Sequence, residues 1–436
     1  MRVIRQWVIR QSAIRRLETG AIVTALALVT AACTGGGPGH VRASPAAAAG
    51  ASTKARPTAA APRVTIAPAN GAGRADPAAG ITVTASRGRL TSVTVRTPGD
   101  AVAGRLSQDG RVWHSLWALD VSQAYTVTAT ASDPGGAVTT ASAFRTLTPS
   151  QTFRTYIFEG YHQTYGVGMP IMLIFSQPIT DKAAVERSLQ LTTSRPVVGA
   201  WYWDGSQTLD FRPRDYWPAG TTVSFAGHLN GVRGAPGVYG AHTLTQSFSI
   251  GASLVAVANT AKHRTQIYYQ GKLRYTWPIS SGRPGDDTPN GSYLTIEKAN
   301  PVEMKGPGYD LWVPWSVRFT FSGDYYHDAY WSVGEQGFDN VSHGCVNLSP
   351  AHAETYYKLA VPGDPITVVG SPRAGTWDNG WTEWFLSWPE YLKGSALHQA
   401  VQAGPGGSTF VDPSSLPPST ATAPLQTAPA GNSSAR

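Results

Sequence analysis

The sequence predicts a mainly β protein made of several domains. Its 436 residues are too many for one ordinary domain, and chains of this length usually divide into about two to four. Only 14% of the residues are charged, whereas 46 Gly and 32 Pro interrupt the chain at short intervals. Between these breaks, apolar and polar residues alternate with a period of two more often than they recur at helical spacing. These observations favour β-sandwich and β-sheet modules over a helical bundle.

Residues 1–33 resemble an export signal. Several arginines precede an apolar run from Ala21 to Ala32, which is too short to span a bilayer comfortably. Small residues then lead to Cys33, as in a bacterial lipoprotein signal, although Thr30 stands where such signals usually carry an aliphatic residue. We therefore expect export, lipidation of Cys33 and a lipid anchor in the cell membrane. The alternative is an ordinary signal peptide or an uncleaved anchor.

Two low-complexity stretches flank the part of the chain that is expected to fold. Residues 34–62 are mostly Ala, Gly, Pro, Ser and Thr and cannot bury enough apolar surface, so they are predicted to be a disordered linker. Fully extended, this linker would reach on the order of 90 Å at ~3.1 Å per residue. Residues 403–436 have a similar composition and are predicted to be a disordered tail.

Residues 63–148 and 149–250 are predicted to be two immunoglobulin-like sandwiches, here called the first and second modules. The first contains several short alternating segments separated by turns, which is typical of this fold, with Trp113 and Trp117 as core candidates. In the second, Pro170–Phe175 is predicted to be a strand buried on both faces, and Asp204-Gly205 the turn of a hairpin. Neither module contains a catalytic cluster, so both are interpreted as spacers. Their aromatic residues fit a core better than a carbohydrate-binding platform.

Residues 251–370, the third unit, are predicted to form a further β-rich domain with one short helix. Strand patterns recur from Leu254 to Val369. Ser349-Pro350 suits the start of a helix, with Ser as N-cap and Pro at the first position, and this helix would run to about Leu359. Residues 371–402 contain four tryptophans and no strand pattern. Because so much aromatic surface would be a liability in solvent, this stretch is predicted to fold back onto the third unit.

The chemistry indicated by the sequence centres on one thiol. The chain has two cysteines, and if Cys33 carries lipid, Cys345 is the only free thiol. A thiol is a good nucleophile only as the thiolate, which a neighbouring imidazole can generate, and His327 and His343 lie a short way upstream. Gly344 lets the backbone approach a substrate closely. We interpret Cys345 as the nucleophile that attacks an acyl group; a buried structural cysteine is the alternative.

The surroundings of Cys345 resemble the signature of the L,D-transpeptidases, which share a YkuD-type catalytic domain. The matching residues are His327, a spacer ending in Asp339-Asn340-Val341, and then Ser342-His343-Gly344-Cys345-Val346-Asn347. Two further stretches are similar to motifs of that domain: Thr288-Pro289-Asn290-Gly291-Ser292-Tyr293 and Trp331-Ser332-Val333-Gly334. The order of lipoprotein signal, two immunoglobulin-like modules, catalytic domain and Trp-rich extension also resembles this family. The likeness therefore covers nearly the whole folded chain.

This resemblance implies a peptidoglycan L,D-transpeptidase. Such enzymes attack the meso-diaminopimelate carbonyl of a tetrapeptide stem with the cysteine and release the terminal D-Ala. A side-chain amine of a second stem then resolves the thioester and gives a 3→3 cross-link. The expected partners are therefore peptidoglycan stem peptides and, as inhibitors, carbapenem-type β-lactams, and the lipid-anchored protein would face the cell wall. Two alternatives stay open: an L,D-carboxypeptidase with water as acceptor, and a non-catalytic scaffold that binds the wall.

The resemblance also assigns roles within the site. His327 is the expected base, oriented by the backbone carbonyl of the next residue, which is Asp328 here where relatives often carry Ser. His343 is assigned a supporting catalytic role, and the alternative is that it only orients the loop. Backbone N–H groups of Gly344 and Cys345 are the expected oxyanion donors, each such donor typically giving ~10²–10³ in rate. The candidates for substrate contact are Tyr309, Met304, Ser342, Asn347 and Asp328.

Spacing and charge argue against a metal site, a cofactor and nucleic-acid binding. His327, His343, Cys345 and His352 include enough donors for zinc, but structural zinc usually shows paired ligands at short spacings, and this sequence has none. His352 is interpreted as a surface residue of the predicted helix. The net charge is +8, but half of it comes from the first 32 residues, and the rest forms no dense basic run. We therefore expect no metal, no cofactor and no nucleic-acid partner.

Overall fold

The computed structural model describes residues 61–306 and 308–419. The predicted signal with Cys33, nearly all of the predicted linker and the end of the predicted tail lie outside the described residues. Within the described part, no helix is long and apolar enough to cross a membrane. Strands far outnumber helices there, which confirms the predicted mainly β fold.

The first module is a sandwich of two sheets. Its strands are β1 (Arg63–Ala67), β2 (Thr82–Arg87), β3 (Arg89–Arg96), β4 (Gly104–Leu106), β5 (Val112–Ser115), β6 (Ala124–Asp133) and β7 (Gly136–Arg145). The sheets have the orders β1-β2-β5-β4 and β3-β6-β7. Alternation places Tyr125 and Val127 of β6 in the core between exposed threonines. Trp113 packs partly buried against this core. Trp117 instead stacks on His228 of the second module, with 3.9 Å between ring centroids.

The second module is also a sandwich. Its elements are β8 (Gln151–Phe153), β9 (Thr155–Ile157), β10 (Thr164–Tyr165), β11 (Ile171–Phe175), the helix Lys182–Arg187, β12 (Leu189–Thr193), β13 (Val197–Asp204), β14 (Thr208–Pro213), β15 (Thr222–Gly227), β16 (Arg233–Ala235), β17 (Val238–Gly240) and β18 (Leu244–Ile250). One sheet has the order β10-β18-β15-β12, and the other contains β13-β14-β11-β9. The predicted hairpin is confirmed, since Asp204 pairs with Thr208 at its turn. Trp201 and Trp217 are buried in the core, as expected.

The third unit combines two sheets, a hairpin and a helix. Its elements are β19 (Leu254–Asn259), β20 (Arg264–Tyr269), β21 (Lys272–Pro278), β22 (Gly291–Leu294), β23 (Glu297–Ala299), β24 (Val302–Gly306), β25 (Tyr309–Val313), β26 (Ser316–Arg318), β27 (Tyr325–Asp328), β28 (Val346–Leu348), the helix Pro350–Leu359 and β29 (Pro365–Val369). One sheet has the order β21-β20-β19-β29-β22 and the other β23-β26-β27-β28. Tyr326, Val346 and Ile366 share the core of this unit. The hairpin β24–β25 pairs only with itself, and we call it the lid.

The helix Pro350–Leu359 begins and ends where the sequence predicted. Ser349 has extended N-cap geometry, and Pro350 occupies the first helical turn. The helix buries Ala353 and Tyr356 against the core, and since these positions are three apart they lie on one helical face. Burial of this face fixes the chain immediately after β28, and so supports the strand that follows Cys345.

The predicted disordered tail is wrong over its first part. Residues Ala400–Gly404 form β30 and residues Gly407–Val411 form β31. β30 pairs antiparallel with β13, so this hairpin extends a sheet of the second module to six strands in the order β31-β30-β13-β14-β11-β9. Small residues such as Ala403 indicate a loop by composition. At an open sheet edge, however, their backbone groups gain partners and their side chains are buried.

The Trp-rich segment binds mainly to the second module, which corrects the prediction that it folds onto the third unit. It contains the short helix Trp388–Leu392 and a 3₁₀ turn, Glu383–Phe385. Trp384 enters the core of the second module, where its indole N–H donates to Gly168 O at 2.8 Å and its ring lies 4.5 Å from the Arg212 guanidinium. Phe385 meets Tyr293 of the third unit edge to face. The segment therefore joins the two units.

We predict that Trp384→Ala destabilises the protein by about 3–5 kcal/mol, because a buried Trp loses its packing and its hydrogen bond. The measurement is the free energy of unfolding in guanidinium. Trp312→Ala is the matched control, since Trp312 is 62% exposed and its removal should change stability by less than about 0.5 kcal/mol. Equal effects of the two substitutions would show that the C-terminal segment does not stabilise the fold.

Candidate active site

Parallel pairing of β27 with β28 brings the predicted nucleophile and base together. In this ladder Tyr326 lies opposite Val346, and His327 lies opposite Asn347. Cys345 immediately precedes β28, so alternation puts its side chain on the same face of the sheet as His327 and Asn347. Tyr326 and Val346 point to the opposite face, into the core. The thiol and the imidazole are thus neighbours across two adjacent strands.

His327 is held in the state that a base requires. The side chain is 4% exposed, and Nδ1–H donates to the backbone carbonyl of Asp328 at 2.7 Å. This bond places the ring proton on Nδ1 and leaves the Nε2 lone pair free to accept a proton. Burial lowers the pKa of His327 to about 4, although the hydrogen bond to the carbonyl opposes this shift. The imidazole is therefore neutral at neutral pH, and the carbonyl is the orienting group that the resemblance implied.

Cys345 rests as a neutral thiol. Burial raises its pKa to about 12; the Asp324 carboxylate adds to this increase, and the Tyr325 N–H opposes it. The Sγ–H group donates to the Gly323 carbonyl at 3.8 Å. A neutral thiol beside a neutral imidazole is not a preformed ion pair. For the sulfur to act as a nucleophile, its proton must first be removed.

Asp328 contributes its backbone to the site, but its side chain does not approach the thiol. Alternation along β27 puts this side chain on the opposite face from His327. Burial raises the pKa of the Asp328 carboxyl, and the Tyr330 N–H lowers it. The expectation that Asp328 contacts substrate therefore finds no support in the structure.

The acidic side chain that lies against Gly344, next to the thiol, is Asp324, which sequence reasoning missed. Asp324 lies in a turn upstream of His327 and belongs to no motif quoted above. Nothing in a single sequence distinguishes it from a solvent-exposed turn residue.

Ser342 and Thr288 fix the loop of residues 342–347, here called the thiol loop. The Ser342 hydroxyl donates to the Cys345 carbonyl at 2.7 Å and accepts from the Gly344 N–H at 3.1 Å. The Thr288 hydroxyl donates to the Gly344 carbonyl at 2.6 Å. Asn347 anchors the far end of the loop by donating to the Ser332 hydroxyl at 2.9 Å. Ser342 and Asn347 therefore shape the loop.

Gly344 is required at its position, but its N–H is not a free oxyanion donor. Its φ is +128°, and a Cβ atom there would lie 2.3 Å from Asp324 Oδ1. The predicted oxyanion donors were the N–H groups of Gly344 and Cys345. The Gly344 N–H is already bonded to Ser342 Oγ. None of the hydrogen bonds among the described residues uses the Cys345 N–H, so this predicted donor is available.

Tyr309 of the lid lies beside His343 of the thiol loop. Their ring centroids are 4.9 Å apart. Burial and then the neighbouring Cys345 raise the pKa of Tyr309, so this phenol is neutral. Met304 pairs with Leu311 in the lid and shares the face that carries Tyr309. His343 is exposed at the mouth of the site.

His352 lies apart from this cluster. It stacks on Trp277 at 4.8 Å between ring centroids, on the helix that follows β28. It is half-buried, not the surface residue that was expected. Within residues 61–306 and 308–419, no group of three or more His, Cys, Asp or Glu side chains is arranged to hold a metal ion.

Two family models match parts of this chain. The family model for the L,D-transpeptidase catalytic domain (YkuD) matches residues 253–368, and the model for a bacterial Ig domain matches residues 72–233. The chain is 33% identical to L,D-transpeptidase 2 of Mycobacterium tuberculosis over 349 residues, which cover 77% of this chain and 85% of that protein. It belongs to the L,D-transpeptidase family.

Two further relatives are similar to this L,D-transpeptidase. L,D-transpeptidase 5 of Mycobacterium tuberculosis is 36% identical over 351 residues, which cover 77% of this chain and 78% of that protein. Among solved structures, that of LD transpeptidase LdtMt1 in complex with imipenem is 36% identical and covers 49% of this chain and 97% of that one, with a TM-score of 0.42. The YkuD match ends within β29, so the C-terminal segment lies beyond it.

Burial of neutral His327 predicts a pH-dependent stability. The pKa falls from an ordinary value of 6.5 to about 4 on folding, so between these values the unfolded chain binds a proton that the folded protein does not. Stability is therefore lost as pH falls through this window, by about 3 kcal/mol in total. The amide of an Asn at this position can also donate to Asp328 O. We therefore expect the His327→Asn variant not to lose stability in this pH window.

The test is urea unfolding of both proteins at about pH 7 and about pH 4. All other titrating groups are common to the two proteins, so the difference between their pH slopes isolates His327. Identical slopes would mean that His327 is not held neutral by burial.

Proposed function

We propose that this L,D-transpeptidase forms 3→3 cross-links between peptidoglycan stem peptides through a thioester on Cys345. The observation that supports this most directly is the placement of Cys345 and His327 on one face of two paired strands, with the Nε2 lone pair of His327 available. The donor would be a tetrapeptide stem, cleaved after its meso-diaminopimelate residue.

In the acylation step, Nε2 of His327 takes the proton from Sγ while the sulfur attacks the donor carbonyl. The developing oxyanion accepts a hydrogen bond from the Cys345 N–H, and the neutral Tyr309 hydroxyl is a second donor within the lid. When the peptide bond breaks, the imidazolium returns its proton to the amine of the departing D-Ala. The product is a thioester with a neutral His327.

In the second step, the same base serves the acceptor. The side-chain amine of another stem attacks the thioester carbonyl, and Nε2 removes a proton from the attacking nitrogen. The sulfur leaves and is protonated by the imidazolium, which restores the resting thiol. Met304 and Leu311 lie on the face of the lid that carries Tyr309, and an apolar cover on this face would disfavour water as the acceptor. We therefore place transpeptidation ahead of L,D-carboxypeptidase activity.

We also propose that the protein works outside the cell membrane, lipid-anchored at Cys33 and facing the cell wall. The two sandwich modules would then act as spacers between membrane and site. The described sandwiches carry filled aromatic cores, which suits a spacer better than a wall-binding scaffold.

We predict that a carbapenem forms a covalent adduct with the wild-type protein and none with Cys345→Ala, as measured by intact mass. The variant should unfold at the wild-type temperature, because only one sulfur atom is removed. His327→Ala should slow acylation by at least about 10²-fold, since the base is lost. Absence of an adduct on the wild-type protein would favour the scaffold alternative.

Incubation of the protein with a disaccharide tetrapeptide identifies the acceptor of the thioester. Cross-linked dimer as the main product supports the transpeptidase, and tripeptide without dimer contradicts it in favour of the L,D-carboxypeptidase. Cys345→Ala should yield neither product.

We further predict that deletion of residues 34–62 leaves dimer formation unchanged in solution but reduces 3→3 cross-links in cells, because the site would be held near the membrane. The measurement is muropeptide analysis of cell walls. A linker of the same length made of Gly and Ser should restore cross-linking. Unchanged cross-linking after the deletion would show that the reach of the linker does not limit cross-linking in cells.

A further inference from the structure

Asp324 is a buried carboxylate with no part in the mechanism above. It lies at the end of the turn Thr320–Asp324, here called the acidic turn, which joins β26 to β27, and it is 6% exposed. Its Oδ2 accepts from the Thr320 hydroxyl at 2.6 Å and from the Ser322 hydroxyl at 3.0 Å. Its own N–H donates to Thr320 Oγ1 at 2.7 Å. These bonds hold the carboxylate in one orientation.

The other carboxylate oxygen points at the thiol loop. A Cβ atom built on Gly344 would lie 2.3 Å from Asp324 Oδ1, so this oxygen packs against the residue that precedes the nucleophile. Asp324 is, after burial, the second cause of the raised pKa of Cys345. Burial raises the pKa of Tyr293 and of Tyr309, and Asp324 adds to both increases, although Cys345 and Asp286 add more at Tyr309. The charge of Asp324 therefore reaches both tyrosines.

The acidic turn also supplies the acceptor for the thiol proton. The Gly323 carbonyl, next to Asp324, accepts from Cys345 Sγ–H at 3.8 Å. A thiolate could not donate this bond and would face both a carbonyl oxygen and a carboxylate. Only the Tyr325 N–H on this side favours the charged sulfur. The turn therefore stabilises S–H relative to S⁻ by geometry as well as by charge.

The other titratable groups around the thiol do not replace this effect. His327 on β27 is neutral because its pKa is about 4, and Tyr309 on the lid and Tyr325 on β27 are neutral phenols with raised pKa values. The nearby cation Arg283 is paired with Asp286 at 2.8 Å, on the loop that bonds to the thiol loop. The exposed His343 belongs to the thiol loop itself.

The C-terminal segment braces the acidic turn. Asn379 accepts from the Ser322 N–H at 2.8 Å and donates to the Ser322 hydroxyl at 3.0 Å. Ser322 in turn donates to Asp324. The position of the carboxylate is thus set by a chain of hydrogen bonds that begins outside the third unit.

We propose that Asp324 is a positioning residue that keeps Cys345 protonated and turned toward Gly323 until a substrate is in place. The proposal concerns the nucleophile of the proposed function and rests on it. A thiolate is the form that oxidants and other electrophiles attack, so an exported enzyme with a protonated resting thiol is protected from them. His327 then creates the thiolate only as the donor carbonyl receives it.

The test is the pH profile of alkylation by iodoacetamide, followed by intact mass, for wild type and Asp324→Asn. Asn keeps the shape of the side chain and removes its charge. If the pKa of the thiol falls by about one unit, the thiolate fraction rises about tenfold. The less basic thiolate is also about threefold less reactive, and this offsets part of the gain. We expect alkylation at about pH 7 to be about threefold faster, with the inflection of the profile moved to lower pH.

Two controls separate charge from structure. Asp310→Asn removes the same charge from the exposed outer face of the lid and should keep the wild-type inflection. Ser322→Ala removes one hydrogen bond to the carboxylate while its charge remains, so it should move the inflection less than Asp324→Asn does. An Asp324→Asn profile identical to that of the folded wild type, or an equal shift in Asp310→Asn, would overturn the proposal.

The wild-type profile gives an independent check if Asp324→Asn does not fold. Its inflection must lie above the ordinary cysteine pKa of 9.0, and an inflection at or below that value would also overturn the proposal. Alkylation needs no peptidoglycan. The alkylation profile can therefore contradict the role of Asp324 while the cross-linking assay supports the proposed function, or support that role while the cross-linking assay contradicts the function. The two proposals are therefore tested separately.

Discussion

The parallel ladder between β27 and β28 is the constraint on which the active site depends. Its register sets His327 and Cys345 on one face and places Tyr326 and Val346 in the core behind them. A slip of one residue would turn either side chain to the wrong face. The helix that begins at Pro350 and the core of the third unit hold this register. Packing behind the sheet thus determines the chemistry in front of it.

Within this frame, low polarity decides how the site works. Burial disfavours the charged forms of both partners, so a neutral thiol faces a neutral imidazole. In the proposed mechanism such a site is activated by the substrate, because the proton moves only when a carbonyl can accept the electrons of the sulfur. Ser342 and Thr288 hold the backbone around the thiol meanwhile, through bonds that need no charge.

The C-terminal segment connects regions that are far apart in the chain. β30 and β31 complete a sheet of the second module, Trp384 enters the core of that module, and Asn379 contacts the acidic turn beside the thiol. The second module is therefore more than a separate spacer, since part of its sheet comes from the segment that follows the third unit. A hydrophobic core or a sheet edge can be completed by a distant segment of the chain when that segment supplies complementary apolar side chains or backbone groups.

Local pattern was sufficient for several features of this L,D-transpeptidase. Alternation in β6, the Ser349-Pro350 helix start and the motif around Cys345 are properties of neighbouring residues, so the sequence by itself determined the mainly β fold and the helix, and it predicted the nucleophile and the base. Contacts between distant segments could not be predicted from local pattern. The strand at Ala400–Gly404, the partner of Trp384, the engaged Gly344 N–H and the placement of Asp324 beside the thiol were decided only by the tertiary structure. Each depends on a group that lies far away in the chain or on an angle that composition does not encode.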